Sequence, residues 1–362
     1  VNRPRVRDDL ALMEGYHSPQ LDVRVRLNTN EAPEPPPAAF VESLRAALGG
    51  VAWNRYPDRG ATALRARIAE AESGGSRSFT APHVFAANGS NEVLQTLCLA
   101  YGGPGRSVLT FEPTYALHGH IARVCGTAVV EVDRREDFTL DVAEAVDAVR
   151  RHRPALTFLC SPNNPTGRVE DAATVGAVLE AVEEVGGLLV VDEAYGQFAP
   201  WSALDLVDEE RSVVVTRTYS KTWSAAALRL GYLVGPTWVT DAVSTVVLPY
   251  HLDAVTQLAG VLALDFADDM QRRVRALVAE RERVAALLAE FPVQQWPSGA
   301  NFVLFRPLLR DGGEVWDDLV ARSVLVRNCS SWPRLGGCLR VTIGTRAEND
   351  AFLHALGEVL GA

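Results

Sequence analysis

The sequence has little of what marks a metal centre, a membrane span or a polyanion binder. Its five cysteines, Cys98, Cys125, Cys160, Cys329 and Cys338, are odd in number, scattered, and form no Cys-x-x-Cys pair. That argues against a zinc site and a disulfide framework, and for free, mostly buried thiols in a reducing cytoplasm. The seven histidines include His118-Gly119-His120, whose spacing does not put both rings on one helical face. No acidic or cysteine partner stands close to them in sequence, so no metal is expected. No apolar run approaches the roughly 18 to 20 residues of a membrane span. The segment Val1 to Leu10 carries Arg3, Arg5 and Arg7 and lacks the apolar core of a signal peptide; it reads as a polar arm. Acidic residues outnumber basic ones, 45 to 35, for a net charge of −10. That balance speaks against general binding to nucleic acid or to anionic membranes, and leaves room for a local basic pocket. There is no internal repeat and no low-complexity tract.

What the sequence does have is a regular alternation. At 362 residues, 48% hydrophobic and 22% charged, it is an ordinary globular chain with length for about two domains. A helix is expected from Ala38 to Leu48, ended by Gly49-Gly50, and another from Ala61 to Glu72 with Leu64 and Ile68 on one face. Short strands are expected at His83 to Ala87, Ser107 to Thr110, Thr127 to Val132, Leu156 to Cys160, Leu188 to Val191 and Val213 to Val215. Helices lie between them, including Phe138 to Val149 and Asp171 to Val185. Strands alternating with helices predict an α/β fold, with a mostly parallel central sheet covered on both faces. After Gly235-Pro236 the pattern changes. Long helical stretches over Asp253 to Phe291 precede strands at Asn301 to Phe305, Val324 to Arg327 and Cys338 to Ile343. This reads as a smaller α+β domain from 251–362 joined by 1–29, beside a large domain from 30–250.

Ligands of such folds bind at the carboxyl ends of strands. Four groups fall there. Gly89-Ser90-Asn91 leads into a helix whose free amides suit a phosphate, although Ser or Asn as a simple N-cap explains it equally. Ser161-Pro162-Asn163-Asn164-Pro165-Thr166-Gly167 is dense in turn formers. Asp192-Glu193-Ala194-Tyr195 ends a buried strand. Thr218-Tyr219-Ser220-Lys221 follows another, with Arg229 eight residues past the lysine. A lysine there, ringed by hydroxyls, suits a nucleophile that condenses with an aldehyde cofactor. Taken singly, Lys221 reads as a surface turn residue, Asp192 and Arg229 as a buried ion pair, Tyr195 as core and Asn164 as a turn. Their joint placement at strand ends is what argues for a site.

Ser220-Lys221 with Arg229, Asn164-Pro165-Thr166-Gly167, Asp192-Glu193-Ala194-Tyr195 and Arg340 resemble the fold-type-I pyridoxal-phosphate aminotransferases, over nearly the whole chain. Within that group the chain is similar to the histidinol-phosphate aminotransferase family. Tyr16, Leu27-Asn28-Thr29-Asn30-Glu31, Arg55-Tyr56-Pro57, Pro113-Thr114-Tyr115, Ser298-Gly299-Ala300-Asn301-Phe302, Val326-Arg327-Asn328 and the run Cys338 to Arg346 carry that likeness. Asn91 departs from it, since the family more often has Asp there.

The resemblance implies pyridoxal 5'-phosphate in a Schiff base with Lys221 and a charge from Asp192 at the pyridine nitrogen. It implies Asn164 and Tyr195 at the phenolic oxygen, and Tyr115 stacked on the ring. Ser90, Asn91, Thr218, Ser220 and Arg229 would hold the cofactor phosphate, joined by Tyr56 from the other subunit of a homodimer. Tyr16, Asn30, Arg327 and Arg340 would receive substrate. The reaction implied converts histidinol phosphate and 2-oxoglutarate to imidazole-acetol phosphate and glutamate. An aromatic or phenylalanine aminotransferase on the same scaffold is the nearest alternative. A phospho-amino-acid decarboxylase is another, and a cofactor-binding regulator a third; the chain has no basic face for DNA.

Overall fold

The computed structural model describes residues 3–11, 13, 15 and 19–361. Strand β1 (Val25–Leu27) is followed by helices α1 (Ala38–Leu48) and α2 (Thr62–Glu72), both at their expected places. The alternating part then runs β2 (Val84–Ala87), α3 (Ser90–Tyr101), β3 (Ser107–Glu112), α4 (Leu117–Val124), β4 (Ala128–Asp133), α5 (Val142–His152), β5 (Leu156–Cys160), α6 (Ala172–Glu184), β6 (Leu188–Asp192), β7 (Val213–Thr218) and β8 (Gly231–Val234). Helices α7 (Thr237–Val246), α8 (Ala254–Ala263) and α9 (Ala267–Leu288) lead to β9 (Val293–Gln295) and β10 (Phe302–Pro307). The chain closes with α10 (Gly312–Ala321), β11 (Val324–Asn328), β12 (Leu339–Thr342) and α11 (Arg346–Leu360).

Strands β5, β6 and β7 are buried along their whole length, and they form the middle of a seven-stranded sheet ordered β2-β8-β7-β6-β5-β3-β4. Their near-continuous apolar sequence is what a parallel strand covered on both faces requires. The neighbours from β7 to β4 pair in parallel, so their carboxyl ends share one edge. Strand β8 was not expected. It lies antiparallel between β2 and β7, with Gly231 opposite both Ala87 and Thr218. Four residues bounded by glycine give too short an apolar run to stand out. Gly231 is needed there, because a Cβ on it would sit 2.2 Å from the Ser90 nitrogen. Its absence lets the start of α3 settle against the sheet.

Helix α5 begins four residues later than expected from Phe138. Asp141 is the reason: its side chain accepts from the Glu144 N–H, which fixes the helix start. Phe138 stays outside the helix, with φ 65°, and packs on Trp296. Asp171 and Thr345 cap α6 and α11 in the same manner.

The second sheet is ordered β1-β11-β12-β10-β9. Strand β1 pairs in parallel with β11, so the amino-terminal segment is built into a sheet of carboxyl-terminal strands. Beyond residue 250 the chain does not change core at once. Ala259 and Ala263 of α8, and Met270 and Val274 of α9, still pack beneath the seven-stranded sheet. Val284 and Leu288 of the same α9 belong to the core of the second sheet. From β1 the chain turns through residues 28–31, which lie between the two sheets.

Candidate active site

A cavity of about 420 Å³ lies at the carboxyl edge of the seven-stranded sheet, closed on its far side by residues 29–31 and by Arg340 of β12. That is within the range of small-molecule sites. The seven-stranded sheet delivers most of the wall. Ser90 and Asn91 follow β2, Asn164 follows β5, Asp192 ends β6 with Tyr195 just beyond, and Thr218 ends β7 with Ser220 and Lys221 just beyond. Tyr115 precedes α4, and Arg229 precedes β8. The cavity therefore gathers twelve of the residues singled out from sequence, with Asn30 and Arg340 among them from the opposite side.

Three do not line it. Tyr56 is 80% exposed and stacks on Tyr250 at 4.5 Å between ring centroids, on the outer surface. Arg327 is buried on β11 directly across from Arg340 of β12, with its guanidinium over the Trp332 ring at 5.3 Å. Tyr16 lies outside the described residues.

Within the wall each group is held by named partners. Lys221 Nζ donates to the Thr29 carbonyl at 2.9 Å. Burial pushes its ammonium down to about 8, assisted by the positive charges of Arg340 and Arg229 and opposed by Glu31. Asp192 is buried. Its Oδ1 accepts from the Ala194 N–H at 3.0 Å and from the Thr216 hydroxyl at 3.3 Å. Its Oδ2 lies 2.9 Å from His118 Nε2. Asn164 Oδ1 accepts from Arg340 Nη1, whose Nη2 donates to the Asn28 carbonyl at 2.9 Å. Arg340 lies over the Phe302 ring, and its Nε has no hydrogen-bond partner among the described residues. Burial raises the Tyr195 phenol to about 12, so it acts as a neutral hydroxyl. The chain is acidic as a whole, yet this cavity has three cations, Lys221, Arg229 and Arg340, against Glu31 and Asp192. A net positive pocket selects an anionic ligand.

His118 is the residue that the sequence reading missed. In the sequence it reads only as a poor metal ligand, because no acidic residue stands near it. In the fold it is fully buried, stacked on Phe158 at 4.9 Å, and paired with Asp192. The signal was its place three residues after Tyr115, at the start of α4; the two rings meet edge-on at 5.5 Å. Among the described residues no group of His, Cys, Asp and Glu is arranged to hold a metal ion.

The residues fit pyridoxal phosphate group by group. An aldehyde needs an amine with an unprotonated share at neutral pH, and Lys221 offers one. A phosphate needs amides, hydroxyls and a cation. The start of α3 lies beside Ser220, Thr218 and Arg229, and Gly89 keeps that cradle open. A Cβ on Gly89, which sits at φ 79°, would come within 2.8 Å of Arg229 Nη2. A basic ring nitrogen needs a buried negative charge, and Asp192 supplies it.

The lowered lysine gives a measurable pH dependence. At pH 7 about one Lys221 in ten is neutral, against about one in three thousand for an ordinary lysine. The rate at which apo-protein captures pyridoxal phosphate therefore rises about fivefold from pH 7 to 8 and levels off above pH 9. Stopped-flow absorbance checks this, with N-acetyl-lysine in the same buffers dividing out the cofactor's own ionisation. A rate that keeps rising tenfold per pH unit through pH 10 would show an unperturbed amine.

Comparison with known proteins points the same way. A family model for aminotransferase class I and II matches residues 23–356. The histidinol-phosphate aminotransferase of Frankia casuarinae is 47% identical, the alignment covering 98% of this chain and 90% of that one. That of Mycolicibacterium smegmatis is 44% identical, covering 98% and 93%. Among solved structures, the histidinol-phosphate aminotransferase of Sinorhizobium meliloti in complex with pyridoxal-5'-phosphate superposes with a TM-score of 0.84. It is 24% identical, and the match covers 94% of this chain and 91% of that one. A mutant aspartate aminotransferase of Thermus thermophilus also reaches 0.84, at 23% identity, covering 98% and 99%. The two structures share the fold, while the family model and the near-full-length relatives carry the assignment: the chain belongs to the class I and II aminotransferases.

Proposed function

We propose that this protein transfers the amino group of L-histidinol phosphate to 2-oxoglutarate, giving imidazole-acetol phosphate and L-glutamate, with pyridoxal phosphate as cofactor. The observation that carries this reading is the gathering of Lys221, Asp192, Asn164, Tyr195 and Arg229 around one cationic cavity that Arg340 closes. The names borne by its relatives favour the donor. Pyridoxal phosphate, when bound, supplies an aldehyde carbon that captures amines and a conjugated ring that accepts electrons.

The chain's own groups do the rest. Lys221 would hold the aldehyde carbon through its ε-nitrogen and yield it to the donor's amine. The freed Lys221 then moves the proton from the donor α-carbon, acting as base and then as acid. The Thr29 carbonyl is within hydrogen-bond reach to orient it. Asp192 sets a negative charge at the cavity floor, and His118 orients that carboxyl group. Ser90, Asn91, Thr218, Ser220 and Arg229 would bind the cofactor phosphate, and Tyr115 would lie against the ring. Arg340 receives the phosphate of the donor or the far carboxylate of the acceptor, and Arg327, its neighbour on β11 outside the cavity lining, is assigned to complete that subsite together with Tyr16. Arginine's planar fork suits both anions.

The protein acts as a homodimer in this reading, with Tyr56 reaching the partner's cofactor. The exposed side chains Trp53, Tyr56, Leu248 and Tyr250 support it, since they leave an apolar surface that a second copy would cover. The free cysteines fit a cytoplasmic enzyme. No helix of the described residues is long and apolar enough to cross a membrane.

A donor panel with purified holoenzyme tests the assignment. Each charge-assisted bond to a donor phosphate contributes about 1.5–3 kcal/mol. Histidinol phosphate should therefore exceed phenylalanine and tyrosine in kcat/KM by at least about tenfold, and by more if two arginines engage it. Preference for phenylalanine or tyrosine would make this an aromatic aminotransferase. Carbon dioxide release without 2-oxoglutarate would make it a decarboxylase.

A further inference from the structure

Asn30 occupies an unusual position. It is 1% exposed, sits at φ 57°, and stands where the chain passes between the two sheets. Every polar atom it has is engaged within the protein. Its backbone N–H donates to the Thr342 hydroxyl oxygen at 3.0 Å. That hydroxyl donates in turn to Asn30 Oδ1 at 2.9 Å. Asn30 Nδ2 donates to the Tyr195 hydroxyl oxygen at 2.8 Å. The Asn30 carbonyl accepts from Asn301 Nδ2 at 3.1 Å.

The direction of this chain of bonds is fixed by chemistry. A backbone N–H only donates, so Thr342 Oγ1 must accept from it. The single hydroxyl hydrogen of Thr342 is then spent on Asn30 Oδ1. The oxygen end of the amide is thereby assigned, and its NH₂ end faces Tyr195. An amide N–H on the Tyr195 oxygen makes that oxygen an acceptor, so the phenol hydrogen must point elsewhere. No other partner of that oxygen stands among the described residues, and the remaining side of Tyr195 is the cavity. The ring cannot turn away, because Phe302 of β10 packs edge-on against it at 5.1 Å.

We propose that Asn30 is a positioning residue: anchored on Thr342 of β12, it forces Tyr195 to present its hydroxyl hydrogen to the cavity as a donor. This assigns Asn30 a role other than direct contact with substrate. It also ties Tyr195, which follows β6, to the strand that carries Arg340, so the second sheet governs the polarity of a group on the first. The inference rests on the cofactor reading of the cavity and not on the identity of the amino donor.

The test reads the pH midpoint of the visible absorption change of bound cofactor, without any amino substrate. That midpoint follows protonation of the nitrogen joined to Lys221. A hydroxyl donating to the cofactor's phenolic oxygen would stabilise negative charge there and weaken its attraction for a proton on that nitrogen, so removing the donor raises the midpoint. Asn30→Asp keeps shape and tolerates the left-handed backbone, but its carboxylate accepts the Tyr195 hydrogen. It should raise the midpoint by about one pH unit. Asn30→Gly removes the side chain and leaves that hydrogen free for the cavity, so its shift should be less than half as large. A merely structural role predicts the reverse ranking, because Asp is the closer match to Asn.

Repeating Asn30→Asp in a Tyr195→Phe background separates the hydrogen bond from the added charge. The shift caused by Asn30→Asp should be clearly smaller there. Equal shifts in the two backgrounds, or an Asn30→Gly shift as large as that of Asn30→Asp, would overturn the proposal. A protein that binds cofactor but prefers another donor leaves this test unaffected, so the two failures are distinguishable.

Discussion

Lys221→Ala lowers turnover by about four orders of magnitude and abolishes the visible absorption of covalently held cofactor, while the fold persists. The size follows from what the ε-amine does. Proton transfer by a positioned group contributes about 10²–10⁴-fold, and capture of the aldehyde adds to it. No other lysine in the cavity wall can substitute, since its other cations are Arg229 and Arg340. Guanidinium groups stay protonated and neither condense with aldehydes nor shuttle protons at neutral pH.

A second measurement separates this loss from misfolding. The Lys221 ammonium is pushed down from its ordinary 10.5 to about 8 in the folded protein. Between those values the unfolded chain binds the proton and the folded chain does not, so stability rises with pH across that window. Below pH 8 the folded protein has to carry a disfavoured buried charge beside Arg340 and Arg229. Removing the side chain relieves it. Apo Lys221→Ala therefore melts higher than apo wild type at pH 7, and the advantage shrinks as pH rises from 8 to 10.5. Calorimetry against pH checks this. A variant that melts lower at pH 7 and retains turnover within tenfold would remove Lys221 from the mechanism.

The parts of this architecture that were legible in the sequence are those written locally. Continuous apolar runs such as Leu156 to Cys160 marked the inner strands, because a strand buried on both faces has no polar alternation to hide it. The strand ends then placed Asn164, Asp192 and Lys221 on one edge by topology alone. What was not legible depends on partners far apart in sequence. Strand β8 is a strand only because β2 and β7 flank it. His118 looks like half of a poor metal motif until β6 brings Asp192 beside it, 74 residues later. The role of Asn30 depends on Thr342, 312 residues away, and on the left-handed turn between the sheets. Tyr56 could not be placed by a single chain at all, since its face is turned outward.

Asp192→Asn is expected to retain cofactor and lose about 10³-fold in kcat. The substitution is nearly isosteric. The Asn oxygen can still accept from the Ala194 N–H and the Thr216 hydroxyl, so the floor of the cavity keeps its shape. What disappears is the negative charge. A fixed charge aimed at a developing opposite one, in a site closed to water, carries about 10²–10³-fold per contact. The upper end applies here because Asp192 is only 2% exposed and solvent cannot replace it. His118→Phe should cost far less, about tenfold, because the stack on Phe158 is preserved and only the orienting bond to Asp192 is lost. The ordering of the two variants matters more than either value. If Asp192 acts by charge and His118 by holding it in place, the double variant is no slower than Asp192→Asn alone. Steady-state kinetics with absorption spectra of each holoenzyme decide it. Multiplicative losses would mean that His118 works independently, and an Asp192→Asn enzyme within tenfold of wild type would mean that the charge at the cavity floor is not used.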